Sequence, residues 1–259
     1  MLVATTLLAT ATAGGIASLS RADGARRDAA KLQELHERAQ YVFATLEPEL
    51  QMAGYFGTDT PPTAIDDDVP EPALRCGPEV IRRMDLAIQA HANWPLPCAP
   101  QGGGQVPGTH VLVLRRASAR LATGTEPGRA QWLRNSAAGN GRLFWLGDAP
   151  WSPETGSPGE ELRELVLRIF YVARNADGEA SLPALRMKNL TSISGAPAFI
   201  DTEVMNGIED LQVQLLPAAN APSQVRVQLR VRAQGRAMHG TSAPQVLEAS
   251  RIFTLRNGH

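Results

Sequence analysis

From Lys31 onward the apolar residues of this chain fall at Leu32, Leu35, Ala39, Val42, Phe43, Leu46, Leu50 and Ala53. Steps of three and four place them on one stripe of a helix, with Lys31, Glu34, Glu37 and Arg38 mostly elsewhere. Upstream, "MLVATTLLATATAGGIASLSR" carries no charged side chain before Arg21. Twenty helical residues span about 30 Å, the thickness of a bilayer core. The pattern therefore predicts one long helix, with an apolar, membrane-crossing half over 1–20 and an amphipathic half over 21–54. Pro48 removes the bond to the Ala44 carbonyl and kinks the helix or marks its last turns. Gly54 stops it.

After a segment at 56–108 with nine prolines and the run Gly102-Gly103-Gly104, the pattern turns to strands. The segment itself predicts a loop-rich insertion with a short helix near Glu79–Gln89. "HVLVLR" (110–115) is almost continuously apolar, and "ELVLRIFYVAR" (164–174) is apolar on both faces, as in a strand covered on both sides. "RLFWLG" (142–147), "IEDLQVQLL" (208–216) and "RIFTL" (251–255) add further strands. The cleanest is "SQVRVQLRVRA" (223–233), where Val225, Val227, Leu229 and Val231 alternate with Gln224, Arg226, Gln228, Arg230 and Arg232. A period of two with one wet face marks an antiparallel sheet. The expected fold class is α+β: a long N-terminal helix packed through Leu35, Val42, Phe43, Leu46 and Leu50 on an antiparallel β-sheet, with 55–259 forming the globular head. No internal repeat and no second anchor are seen.

The 259 residues have a formal net charge of −1, with 43% apolar and 20% charged residues. That excludes a disordered chain and gives no bulk electrostatic case for nucleic acid or an acidic membrane. The two cysteines, Cys76 and Cys98, cannot form a four-ligand zinc site alone. They are disulfide candidates if the compartment is oxidising; two buried free thiols are the alternative. Closing such a loop stabilises by about 3 kcal/mol on the chain-entropy model.

Catalytic constellations are absent from the sequence. There is no G-x-S-x-G elbow, and the glycine run lacks the Gly-Lys-Ser/Thr of a phosphate loop. His36, His91, His110, His239 and His259 are scattered, without an H-x-x-x-H pair. Asp66-Asp67-Asp68 lacks the spaced ligands of a calcium loop and reads as a solvated acidic loop. Asn189-Leu190-Thr191 matches a glycosylation sequon. Trp94, Trp132, Trp145 and Trp151 read as core or loop anchors, with one or two at a subunit interface. The Arg226, Arg230 and Arg232 stripe is a possible partner-contact face, read as solvated, as a protein contact or as a phosphate contact. No aromatic residues interleave it, which argues against single-strand binding. No catalytic residue, metal site or cofactor is expected.

The helix end "LEPELQMAGYFG" (46–57) resembles the end of the N-terminal helix in PilW-type minor pilins of type IV pili, through Leu50, Gln51, Met52, Ala53, Gly54, Tyr55 and Gly57. Similar in order are "THVLVLRRA" (109–117), "FYVARN" with "SLPALRM" (170–187), "GIEDLQVQLL" (207–216), "QVRVQLRVRA" (224–233) and "RIFTLRN" (251–257). Departures are Pro48, Gln51 where a basic residue is usual, and Thr58 where cysteine is common. The resemblance implies a pilin-like fold and a non-enzymatic subunit that primes pilus assembly and is incorporated into the fibre, serving adhesion and twitching motility. Its implied partners are other minor pilins, the major pilin and, before assembly, the inner membrane, with a periplasmic head that ends on the surface pilus near its tip. No small-molecule substrate and no nucleic acid are implied. Family members begin with a short basic leader, a glycine at the processing site and an apolar helix with a glutamate at its fifth position, so Met1 reads as an internal methionine or the true start as lying upstream. The rival readings are a J-type pseudopilin of type II secretion and a secreted binding module or enzyme with a cleaved signal.

Overall fold

The computed structural model describes residues 2–57, 65–67, 76, 79–124, 131–135, 140–144, 154, 158–193, 196–217, 222–233 and 245–257. The helix α1 (Leu2–Met52) is continuous over 51 residues, through Pro48, which makes it about 75 Å long. It ends where Gly54 turns at φ +78° and donates its N–H to the Arg115 carbonyl at 3.0 Å.

Eleven strands follow: β1 (Ile65–Asp67), β2 (Ile88–His91), β3 (Val111–Leu121), β4 (Gln131–Asn135), β5 (Asn140–Phe144), β6 (Glu160–Ala173), β7 (Ala184–Ile193), β8 (Ala196–Asn206), β9 (Ile208–Leu216), β10 (Gln224–Arg232) and β11 (Val246–Thr254), with the four-residue α2 (Glu79–Arg82) between β1 and β2. They form two sheets. The larger has eight strands in the order β1-β5-β4-β6-β3-β2, with β7 also on β6 and β8 on β7; the smaller is β11-β10-β9. The pairing is antiparallel apart from β1 with β5.

This corrects the expected α+β plan of one long helix on one sheet. Strands dominate, and they divide into two sheets that enclose the C-terminal part of the helix. The division falls at Gly207, which turns the chain from β8 into β9 at φ +74°. Its N–H donates to the Pro183 carbonyl and its own carbonyl accepts from Arg232 N–H, both at 2.7 Å. A Cβ there would lie 2.5 Å from the Arg38 guanidinium and 2.6 Å from the Arg232 carbonyl, so only glycine fits.

The membrane-crossing half is corrected as well: among the described residues no helix is long and apolar enough to cross a membrane. Residues 22–33 of α1 carry Asp23, Arg26, Arg27, Asp28 and Lys31, and all but Gly24 are exposed. The backbone of residues 2–20 is helical; their side chains lie outside the described residues.

The large sheet is buried on both faces, which explains the doubly apolar run in β6. Leu112, Leu114, Phe170, Val172 and Leu185 point to a front core shared with α1 and the small sheet. Val111, Val113, Leu165, Leu167, Ile169 and Tyr171 point to a back core. The proline-rich segment covers that back face, burying Val80, Ile81 and Met84. The buried Arg115 guanidinium fastens this cover, donating from Nε to the Val80 carbonyl at 2.6 Å and from Nη1 to the Leu86 carbonyl at 2.7 Å. Burial lowers its pKa to about 10, with Asp85 opposing and Arg83 adding to the shift.

Candidate functional site

Three places combine polar chemistry with a defined setting: the seat of the helix, the outer face of the small sheet, and a charge cluster on the back face. At the seat, Leu35, Val42, Phe43, Leu46 and Leu50 are each no more than 2% exposed and share the front core with Val225, Val227, Leu229, Val231 and Phe253. Phe43 stacks tilted on Phe253 at 6.1 Å. The Arg251 guanidinium lies 4.9 Å from the centre of its ring and donates to Gln40 at 2.6 Å. One acid enters this apolar seat. Buried Glu49 accepts from Arg168 at 2.6 Å and pairs with Arg116 at 3.2 Å, pinning the last turns of α1 to β6 and β3. Where α1 leaves the head, Asp28, Ala29, Leu32, Leu35, Gln245 and Val246 line a shallow, mostly apolar cleft of about 340 Å³. Leu32 is 48% exposed on its rim.

On the small sheet, the register sets Arg230 between Asp210 of β9 and Glu248 of β11. Glu209 also pairs with Arg230 at 3.5 Å and with Arg232 at 3.3 Å. Arg232 donates to the Ser181 carbonyl, and Arg226 donates to Gln214 at 3.2 Å. The stripe of Arg226, Arg230 and Arg232 that looked cationic along one strand is therefore balanced across three.

The back-face cluster was not among the sites the sequence suggested. Asp201 of β8 is opposite Lys188 of β7, and its side chain is 1% exposed. It accepts from Arg186 Nε at 2.8 Å and from the Tyr171 hydroxyl at 2.7 Å, and it pairs with Lys188 Nζ at 2.9 Å. Arg186 also pairs with Asp177 at 2.6 Å. The Tyr171 hydroxyl in turn accepts the Gln101 N–H at 2.8 Å. The Trp94 ring meets Tyr171 edge-on at 4.9 Å, and Lys188 Nζ lies 5.8 Å from the Trp94 ring centre. Burial alone would raise the Asp201 carboxyl, but hydrogen bonds from Arg186, Tyr171 and Lys188 hold it below the ordinary carboxylate range. Burial, and then the bond to Asp201, push the Tyr171 phenol well above its ordinary value. For Arg186 burial works downward, and bonds to Asp201 and Asp177 overcome it, raising the pKa. Each of Tyr171, Arg186, Lys188 and Asp201 has a partner within the cluster. The one available signal was the pair of inward cations, Arg186 and Lys188, alternating with Leu185 and Met187.

Cys76 and Cys98 form a disulfide. His36 meets the Leu32 carbonyl within its own helix. His110 joins the two sheets: its N–H donates to the Leu211 carbonyl at 2.8 Å, and Val213 N–H donates to its Nδ1 at 3.0 Å. His91 is shifted downward by burial and by Arg115. Asn189 pairs in β7 opposite Ile200 and Arg168. The side chains of Asp66, Asp67 and Trp132 and all of Asp68, Trp145, Trp151, His239 and His259 lie outside the described residues. Among the described residues no group of three His, Cys, Asp or Glu side chains is placed to hold a metal ion.

No protein-family model matches this chain, and neither does any curated protein or any solved structure. The type IV pilus and PilW-type vocabulary thus gains no support beyond the sequence segments that carry the resemblance.

Proposed function

We propose that the chain is a non-catalytic assembly subunit of the minor-pilin kind, which joins a fibre through its helix. One observation carries the reading: α1 is continuous, its last third is locked into a β-rich head, and residues 22–33 leave that head exposed. A helix that enters the core at one end and projects at the other gives a subunit a shaft for bundling with the helices of its neighbours. The order of the sequence segments from 46 to 257 supports the minor-pilin kind in particular. The disulfide supports export to an oxidising compartment such as the periplasm. Among the described residues the acids Glu49 and Asp201, whose side chains are buried, are both held in internal ion pairs, which supports a scaffold role.

The test is the sheared surface-fibre fraction of the native cells, probed with antibody to the head. The wild-type chain is expected in that fraction together with other pilins. Leu32→Glu, which charges the exposed rim of the helix cleft and leaves the core intact, is expected to fold and to be missing from it. Recovery of the native protein only as a freely secreted species with its first residues removed overturns the proposal.

A further inference from the structure

The cover on the back face is held unevenly. At one side β2 is paired with β3 from Ile88↔Leu114 to His91↔Val111. At the other side the Gly102 carbonyl accepts Asn175 N–H at 2.8 Å, the Gly104 carbonyl accepts Arg174 N–H at 3.0 Å, and Val106 N–H donates to the Val172 carbonyl at 2.9 Å. Gly102 is seated so closely that a Cβ would lie 2.7 Å from Ala173 Cβ. Between these two anchored points run residues 92–101, "ANWPLPCAPQ". Pro95, Pro97 and Pro100 have no N–H to offer the sheet, and no residue of the stretch is fully buried. The span is tied through the bond from Cys98 to buried Cys76, and it touches the sheet through the Trp94 ring on Tyr171 and beside Lys188 Nζ, through Leu96 against the back core, and through Gln101, whose N–H and carbonyl both meet the Tyr171 hydroxyl. Trp94 is itself fixed by its indole N–H, which donates at 2.6 Å to the carbonyl of Cys98, one of the two disulfide residues.

We propose that residues 92–101 are a redox-gated strap: the Cys76–Cys98 bond closes it over the Tyr171–Asp201–Lys188 cluster, and reduction opens that cluster to water while the two sheets and α1 stay folded. A dithiol reductant supplies two electrons, which with two protons convert the disulfide to two thiols, and the reductant becomes its own cyclic disulfide. The carbonyl of Cys98 then no longer has a fixed position, and Trp94 loses its hydrogen-bonded brace. The parts on either side keep their own ladder and turn bonds, so the opening is local. The inference is independent of the role proposed above, since it concerns only the head.

The sequence supplies a clean reporter. The chain has two lysines, exposed Lys31 on α1 and buried Lys188 under the strap. Limiting acetylation of the full chain, followed by mass spectrometry, reads both together. In the oxidised protein Lys31 is modified and Lys188 is protected. After reduction with dithiothreitol, with two free thiols counted, Lys188 labelling is expected to rise about tenfold or more. Lys31 labelling and the amide-exchange protection of β6 stay unchanged. A Cys76→Ser/Cys98→Ser double variant behaves like the reduced protein; if it fails to fold, the reduced wild type gives the answer alone. Trp94→Ala, with the disulfide intact, raises Lys188 labelling to an intermediate level. Two results overturn the proposal: Lys188 still protected in fully reduced protein, or Lys188 labelled only in step with loss of β6 protection.

Discussion

The two faces of the large sheet solve the same problem by different chemistry. The front face is covered by a helix and a second sheet whose contacts are mostly apolar; among the described residues Glu49 is the one buried acid in the seat, with Arg38 buried further up the helix. The back face is covered by a proline-rich segment too irregular to bury a continuous stripe. It is held by a disulfide, by Arg115 on two carbonyls, by Gln101 on the Tyr171 hydroxyl beside the ion cluster around Asp201, and by the buried Val80, Ile81 and Met84. Apolar contact is non-directional and tolerates small shifts. Buried ions are directional, and each depends on its partners being present. The front should therefore fail gradually as contacts are trimmed, and the back abruptly when one partner is removed.

The largest expected effect lies on the back. Asp201→Asn leaves Arg186 and Lys188 buried without their shared acid and should cost about 3–5 kcal/mol in urea unfolding. Replacing the whole set, with Arg186→Met, Lys188→Met, Asp201→Leu and Tyr171→Phe together, should recover most of that loss. If it recovers none, the cluster does more than neutralise itself, and the contrast between faces weakens. On the front, Leu46→Ala removes a fully buried side chain from the seat of α1 and should cost about 2–5 kcal/mol, by loss of transfer energy plus a cavity. A loss below about 1 kcal/mol would mean that the helix is not seated as described.

Acid separates the faces further. The folded Asp201 carboxyl lies below the ordinary range, whereas an unfolded aspartate titrates near ~3.9. Between those two values the unfolded chain binds the extra proton, so stability rises with pH there. The contribution is complete above the unfolded value and is lost as pH falls through the folded one. The urea midpoint should hold from neutrality down to about pH 5 and drop below about pH 4. The four-residue apolar replacement should flatten that drop; an unchanged acid slope would remove Asp201 as its cause. The smallest effect is expected on the outer face of the small sheet. Arg230→Gln, at a half-exposed ion pair with Glu209, should change stability by less than about 1 kcal/mol. A larger change would make that face part of the structural core of the comparison.

The sequence disclosed the front far better than the back. The stripe from Leu35 to Leu50 and the alternation in β10 are periodic, and period is what a single chain can display. β3 and β6 were legible because both of their faces are apolar. β7 and β8 were not, because Arg186 and Lys188 put charge on an inward face, and the acid that makes this tolerable is Asp201, on the next strand. No local pattern announces a partner that only folding brings near. The split into two sheets was hidden for the same reason, since it turns on Gly207 fitting between Arg38 and Arg232. The short helix expected near 79–89 shrinks to four residues because β2 takes the end of that stretch into the sheet. Of the candidate sites, the disulfide was readable from two cysteines, while the neutral balance of the arginine stripe needed the neighbouring strands.

β6 gives one edge to β3 but divides the other. Residues 160–164 pair with β4, and 168–173 pair with β7. Beyond that division β4, β5 and β1 extend the sheet, and β4 meets β6 at five register positions. Load entering along the shaft of α1 passes through Glu49 to Arg168 and Arg116. Among the described residues, these ion pairs deliver tension on the shaft to the stretch of β6 shared with β3 and β7, and not to the five positions it shares with β4.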